Sequence, residues 1–308
     1  MPDTDNATEK DLSNRVLQWL KSEGYPVEFA VASVFRKNGF SVRQSEYVMG
    51  ESDESPREID VVAYRSLSLG EDLLRVYHVL ECKWSGDKPW VVFSAPRKIA
   101  PSACIAQTIG SRVGQAVLWA AAGHEELHSL SIFETPPRPG FGGHQAFERQ
   151  ADRFWSAMQA VVSASTSLVT EYDHLKPEKK LYAAVAFPVV VVRGLLFEAY
   201  LKDDMSELLL EPVDKARLHW RGAASWRLHA TVDVVAENHL SEFVKQRRAD
   251  IETLEKVLAN TLKQLRQCFK VKSLEPLGIK RAGRGRGMPA LLAALSRTDP
   301  DRNANEAG

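Results

Sequence analysis

The chain has 308 residues, with 40 lysines and arginines against 40 aspartates and glutamates, and so no formal net charge at pH 7. That length and an ordinary apolar content supply ample material for a core and exclude a disordered or membrane-dominated class, while zero net charge means that nucleic-acid binding would need a local basic stripe. The opening Met-Pro-Asp-Thr-Asp-Asn is polar and acidic, so no secretory signal is expected, and the three distant cysteines, Cys82, Cys104 and Cys268, fit a reducing cytoplasm without a disulfide framework or thiolate metal site.

Residues 1–12 read as a flexible N-terminus, and 13–268 as a single α/β domain. Tyr25 to Phe40 has the spacing of an amphipathic helix, stopped by Asn38-Gly39 and leading into a strand; Glu28 sits on it. Arg57-Glu58-Ile59-Asp60-Val61-Val62-Ala63 alternates at period two and predicts a strand, with Glu58 and Asp60 on one face and Ile59, Val61 and Ala63 on the other. Val79-Leu80-Glu81-Cys82-Lys83-Trp84 predicts a second strand, Glu81 and Lys83 pointing one way and Leu80 and Cys82 the other. Acids gathered on one face of neighbouring strands repel each other and lose hydration. A divalent cation between Asp60 and Glu81 accounts for such an arrangement, since hard carboxylate oxygens suit magnesium or manganese.

An acid closing one hairpin strand, then Glu-x-Lys on the next, resembles the PD-(D/E)xK nuclease superfamily, the restriction-endonuclease-like fold, and in particular its Mrr-type and junction-resolving branch. Ile59-Asp60 stands where the usual Pro-Asp pair would be. The helix bearing Glu28 is similar to the family's first helix, which often turns a Glu toward the metal. The resemblance spans about the first ninety residues, judged from ordinary element lengths. It implies a mixed central sheet flanked by helices, extended here by extra C-terminal strands and a long helix. It further implies magnesium- or manganese-dependent hydrolysis of phosphodiesters, foremost in DNA, in bacterial defence or DNA processing. By the same analogy Asp60 and Glu81 hold the metal with the backbone carbonyl of Cys82. Lys83 lies beside the attacking water, Glu28 completes the outer shell or binds a second ion, and Glu58 could substitute for one of them. A homodimer fits the analogy, because many enzymes of this fold pair to cut both strands; a membrane does not.

Further along, Lys88 to Ser94 predicts a short strand and Ser102 to Ala122 a helical run. Glu134 to Gly143, rich in proline and glycine, predicts a loop. Gln145 to Tyr172 predicts one long helix covering the sheet; Gln145 at its start matches a glutamine that some relatives place near the site, though a solvated helix surface is the expected account of it. Ala183 to Val192 is continuously apolar and β-branched, a strand buried on both faces and too short to span a bilayer. Leu195 to Leu201, Ser206 to Trp220 and Arg227 to Ala236 predict further strands, and Glu237 to Leu265 a charged helix. Residues 269–308 read as a basic tail. There Lys280, Arg281, Arg284 and Arg286, interleaved with glycines, form either a nonspecific phosphate-binding arm or a solvated disordered end.

Two other classes compete. His124-Glu125-Glu126-Leu127-His128 satisfies H-E-x-x-H, the zinc-protease pattern, with Glu148 downstream as a third ligand. Gly123 before it and Ser129 and Ser131 after it leave room for one helical turn, too little to hold two histidines in geometry, so an ordinary helix end is expected. A catalytically silent nuclease fold, serving as a nucleic-acid-binding or assembly module, is the other. Against it stands the intact set Asp60, Glu81 and Lys83, whose plainest alternative is a solubilising pair on a one-sided sheet.

Overall fold

The computed structural model describes residues 3–49, 56–84, 88–148, 153–175, 180–202, 206–221, 229–271 and 273–277. Helix α1, Asp3–Ser22, takes up most of the segment expected to be flexible. Helix α2, Tyr25–Lys37, begins with Pro26 in its first turn, where no amide donor is needed, and ends at Asn38 and Gly39 as expected. Strand β1, Ser41–Val48, leads to a long hairpin of β2, Arg57–Leu69, and β3, Asp72–Trp84. Strand β4, Trp90–Ser94, follows.

The helical run expected over 102–122 is interrupted. It consists of α3, Pro101–Ala106, the two-residue strand β5, Ile109–Gly110, and α4, Arg112–Ala121. Ser111 causes the break: its Oγ accepts the N–H of Gly114 at 3.1 Å, capping α4, and the N–H of Ala184 at 3.0 Å, fastening the cap to the sheet. A Cβ on Gly114 would lie 2.1 Å from the Ala184 carbonyl oxygen, so only glycine lets α4 approach this closely. Helix α5, Glu125–His128, is a single turn, and Ser131–Phe133 is a 3-10 turn.

Strand β6, Gly140–Gln145, corrects the loop and helix start expected there, and α6 itself is Arg153–Thr170. The glycines that read as a loop serve close packing. A Cβ on Gly143 would sit 2.5 Å from the Phe154 ring, which lies directly on the strand. Strands β7, Tyr182–Arg193, and β8, Leu196–Leu201, fall where expected. The single strand expected over 206–220 is two, β9, Leu208–Pro212, and β10, Lys215–Arg221, because Pro212 and the turn after it end the first. Strand β11, His229–Ala236, and a 3-10 turn lead into α7, Leu240–Val271. That helix takes in 269–271, assigned by composition to the tail, and Leu274 beyond it is buried. Lys280, Arg281, Arg284 and Arg286 lie outside the described residues.

The strands form one mixed sheet in the order β1-β2-β3-β7-β11-β10-β6-β4-β8-β9, with β5 attached to β7. Strands β3, β7 and β11 run parallel at its centre, β3 matched to β7 without interruption from Leu73↔Tyr182 to Trp84↔Arg193. One face carries α2, α4 and α7, through Val31, Phe35, Val117 and Leu258 on Val61, Leu80 and Val189. The other carries α6, through Phe154, Met158 and Val161 on Val79, Val190 and Val234. This three-layer α/β/α arrangement explains the unbroken apolar run of β7, whose two faces are both covered.

An ionic network ties α7 to the sheet. Arg217 meets Asp233 in a two-pronged pair at 2.7 and 2.9 Å, Arg247 reaches the same carboxylate at 2.8 Å, and Asp250 accepts from Ser131 Oγ at 2.6 Å and the Ile132 N–H at 2.8 Å. All four charged side chains are buried, so each depends on the others to replace lost hydration. No helix among the described residues is long and apolar enough to cross a membrane.

Candidate metal centre

The acids singled out in the sequence come together where the β2–β3 hairpin opens. The ladder between these strands runs from Leu69↔Asp72 to Val61↔Leu80 and stops one residue short of Asp60 and Glu81. On the other side of β2, Ser45 adopts φ 51° between the pairs Gln44↔Val61 and Glu46↔Ile59, so the pleat is disturbed at the level of Asp60. In consequence Ile59 packs with the α6 cluster while Val61 and Ala63 pack with the α2 cluster, correcting the common face expected for the three. The Asp60 carboxylate then takes the role of a main-chain acceptor. Its Oδ2 receives the Cys82 N–H at 2.6 Å.

Helix α2 starts over the same strand end, for a Cβ on Gly24 would lie 3.5 Å from that of Trp84. Its apolar stripe, Val27, Val31, Ala32 and Phe35, faces the core, which leaves Glu28 at the margin of that stripe beside the hairpin acids. Lys83 donates from Nζ to Glu81 Oε1 at 2.5 Å. The other oxygen, Glu81 Oε2, is buried and has no hydrogen-bond partner among the described residues. Glu81 is only 9% exposed, so this is not a solubilising surface pair.

Four acids, Glu28, Glu58, Asp60 and Glu81, thus share a neighbourhood with one ammonium. Burial, followed by repulsion from Asp60, Glu58 and Glu81, pushes Glu28 up to about 7. Burial likewise pushes Glu81 up to about 7, against the pull of Lys83 and with Asp60 adding to the rise. Asp60 is raised by burial despite the Cys82 N–H and Lys83, which favour its charged form. For Lys83 burial works toward the neutral amine, but Glu81 and then Asp60 more than offset it and hold the ammonium. Burial and the surrounding carboxylates drive the Cys82 thiol well above its usual range, favouring its protonated form.

The donor set suits a hard divalent cation. Asp60 and Glu81 offer carboxylate oxygens, and the orphaned Glu81 Oε2 is the kind of buried acceptor a cation would satisfy. The set is small, however: among the described residues no three His, Cys, Asp or Glu side chains form a group able to hold a metal. Glu58 is exposed and receives the Tyr47 hydroxyl at 3.4 Å. Gln145 is not brought to the site, which corrects its expected accessory place: it ends β6, separated from β3 by β7, β11 and β10. His124 precedes the single turn of α5, and the His128 ring bonds the Ala122 carbonyl through Nε2 at 2.8 Å, so the two do not share a helix face. Glu148 pairs with Lys88 at 2.9 Å.

Sequence reading missed His78 on β3 itself, whose two ring nitrogens are buried and have no hydrogen-bond partner among the described residues. Burial, then Arg247, lowers it to about 3, so it is neutral. Compared with protein-family models, with curated proteins and with solved structures, the chain finds no match in any of the three.

Proposed function

We propose that the chain is a metal-dependent nuclease with a restriction-endonuclease-like core, hydrolysing phosphodiesters in nucleic acid, foremost DNA. The observation that carries this reading is the half-satisfied Glu81, one oxygen held by Lys83 and the other buried without a partner among the described residues, beside an Asp60 fixed by the Cys82 N–H. Asp60 and Glu81 would hold magnesium or manganese, with the Cys82 carbonyl as a further oxygen. Such an ion supplies charge neutralisation on the phosphate and a more acidic water.

The protein's own groups divide the remaining tasks. Lys83, kept cationic, has no lone pair with which to take a proton, so it orients the water and stabilises the charge that develops there. Glu28, raised to about 7, is poised to accept a proton near neutral pH. Asp60 is positioned in advance by its main-chain donor, which keeps the ligand geometry from costing order at binding. Cytoplasmic defence or DNA processing, and action as a homodimer, remain part of the proposal by analogy alone.

A second reading, a silent nucleic-acid-binding or assembly module of the same fold, is favoured by the lack of a three-ligand group among the described residues. Incubation with supercoiled plasmid, single-stranded DNA and RNA, with magnesium and with chelator, separates the two. The nuclease reading expects cleavage that requires the metal and disappears in Asp60→Ala. Failure to cut any substrate, or cutting retained in Asp60→Ala, counts against it.

A further inference from the structure

A cleft of about 680 Å³, inside the roughly 300–1,000 Å³ range of small-ligand sites, opens between β4, β6 and the first turn of α6. Three aromatic side chains line it while remaining substantially exposed: Phe141 at 69%, Trp155 at 45% and Phe93 at 38%. The Phe93 and Phe141 rings lie 6.4 Å apart, tilted by 37°. Arg97, His144 and His219 complete the polar lining, and no carboxylate lines the cleft among the described residues. Aromatic faces left in water are unfavourable unless something covers them, and a cation-bearing rim without acids selects an anionic occupant.

The position of the cleft relates it to the acids. Ser94, at the end of β4, pairs with Gly140, which pairs with Leu218; the adjacent Arg217 pairs with Asp233, level with Val189 and Leu80. Ala95, Pro96 and Arg97 therefore leave the sheet at the height of Glu81 and Lys83, on the edge where the parallel strands end. Five strand steps separate β3 from β4, about 24 Å at ~4.8 Å per step. That is the length of roughly seven nucleotides of stacked single strand at ~3.4 Å each.

We propose that this cleft binds a base of a single-stranded nucleic acid, stacking it on Phe141, Phe93 and Trp155 with Arg97 on the adjoining phosphate, while the strand runs along the sheet edge to the acids. The proposal rests on the nuclease reading for its choice of ligand. Stacking is tolerant of sequence and requires an unpaired base, so the cleft favours single strands over duplex.

The test is fluorescence anisotropy of a labelled oligothymidylate of about twelve nucleotides, within the ~4–16-nucleotide footprint of single-strand binders, with the full chain in chelator so that nothing is cut. Phe141→Ala, at a side chain too exposed to endanger the fold, should weaken binding about tenfold. Arg97→Ala should lower the slope of log affinity against log salt by ~0.7, one phosphate's worth. A blunt duplex of the same length should bind more weakly and be indifferent to Phe141→Ala. Parent-like oligothymidylate binding by Phe141→Ala, absence of binding by the parent, or an equal loss on duplex overturns the proposal. If the parent cuts no nucleic acid yet Phe141→Ala loses oligothymidylate, the nuclease reading fails and the base site stands. If the parent cuts and Phe141→Ala binds as the parent does, the reverse holds.

Discussion

Replacing Glu81 by glutamine keeps its shape and removes its charge, and the structure predicts that this stabilises the metal-free protein above neutral pH. The carboxyl is raised from 4.5 to about 7 by burial. The folded state therefore binds a proton more tightly than the unfolded chain, and the stability linked to that proton is fully present below pH 4.5 and is lost as pH rises through about 7. At about 1.36 kcal/mol per pH unit, the loss amounts to ~3 kcal/mol. Glutamine, which cannot ionise, escapes it. The gain is reduced to the extent that Lys83 relied on Glu81, although Asp60 still faces the ammonium. Urea denaturation in chelator, followed by circular dichroism at about pH 4.5 and about pH 8, should show Glu81→Gln near the parent at the lower pH and ~1–3 kcal/mol more stable at the higher. Manganese should close or reverse that gap: at about one hundred times the dissociation constant it stabilises the parent by ~2.7 kcal/mol and leaves Glu81→Gln unmoved. A stability difference that does not change with pH would refute the assignment of a strained acid at this position.

The remaining expectations concern the same site and its support. Lys83→Ala should abolish turnover while calorimetric manganese affinity persists, whereas Asp60→Ala should lose both; a Lys83→Ala protein that cuts plasmid as fast as the parent contradicts the role given to the ammonium. Manganese affinity should rise from about pH 5.5 to about pH 8, because Glu28 and Glu81 hold protons up to about 7 that a cation must displace, and a flat profile would speak against a site built from these acids. Asp233→Ala strands the buried Arg217 and Arg247 and should cost ~3–5 kcal/mol in urea denaturation, and a loss under ~1 kcal/mol would mean that the network is solvated rather than closed. Purified protein should carry no stoichiometric zinc by elemental analysis; zinc lost together with peptidase activity in a His124→Ala, His128→Ala double variant would revive the protease pattern.

The parts of this architecture visible in the sequence are those fixed by short-range periodicity. The strand character of the segments around Asp60 and Glu81, the alternation through Glu81-Cys82-Lys83, the Asn38-Gly39 stop of α2 and the apolar run of β7 each depend on neighbours within a few residues. What stayed hidden depends on partners far along the chain. Gly140–Gln145 has the composition of a loop, and it is a strand because it pairs with β4 and β10, its glycines leaving room for the Phe154 ring on Gly143. Ser111 breaks a helical pattern because Ala184, over seventy residues away, supplies a second donor to its hydroxyl. Asp233 looks like a flaw in an apolar strand until Arg217 and Arg247 are placed beside it. Within the site the residue types were readable, but neither the disturbed pleat at Ser45 nor the bond of the Asp60 carboxylate to the Cys82 amide was.

The central claim is that Asp60 and Glu81 share a divalent cation. Anomalous scattering from crystals soaked in manganese tests it most directly. The account predicts one strong peak bridged by carboxylate oxygens of Asp60 and Glu81 at roughly 2.1–2.5 Å, with Lys83 off the metal. A peak elsewhere, or Asp60 and Glu81 carboxylates held more than about 8 Å apart in the manganese-bound crystal, beyond what one cation can span, would contradict it.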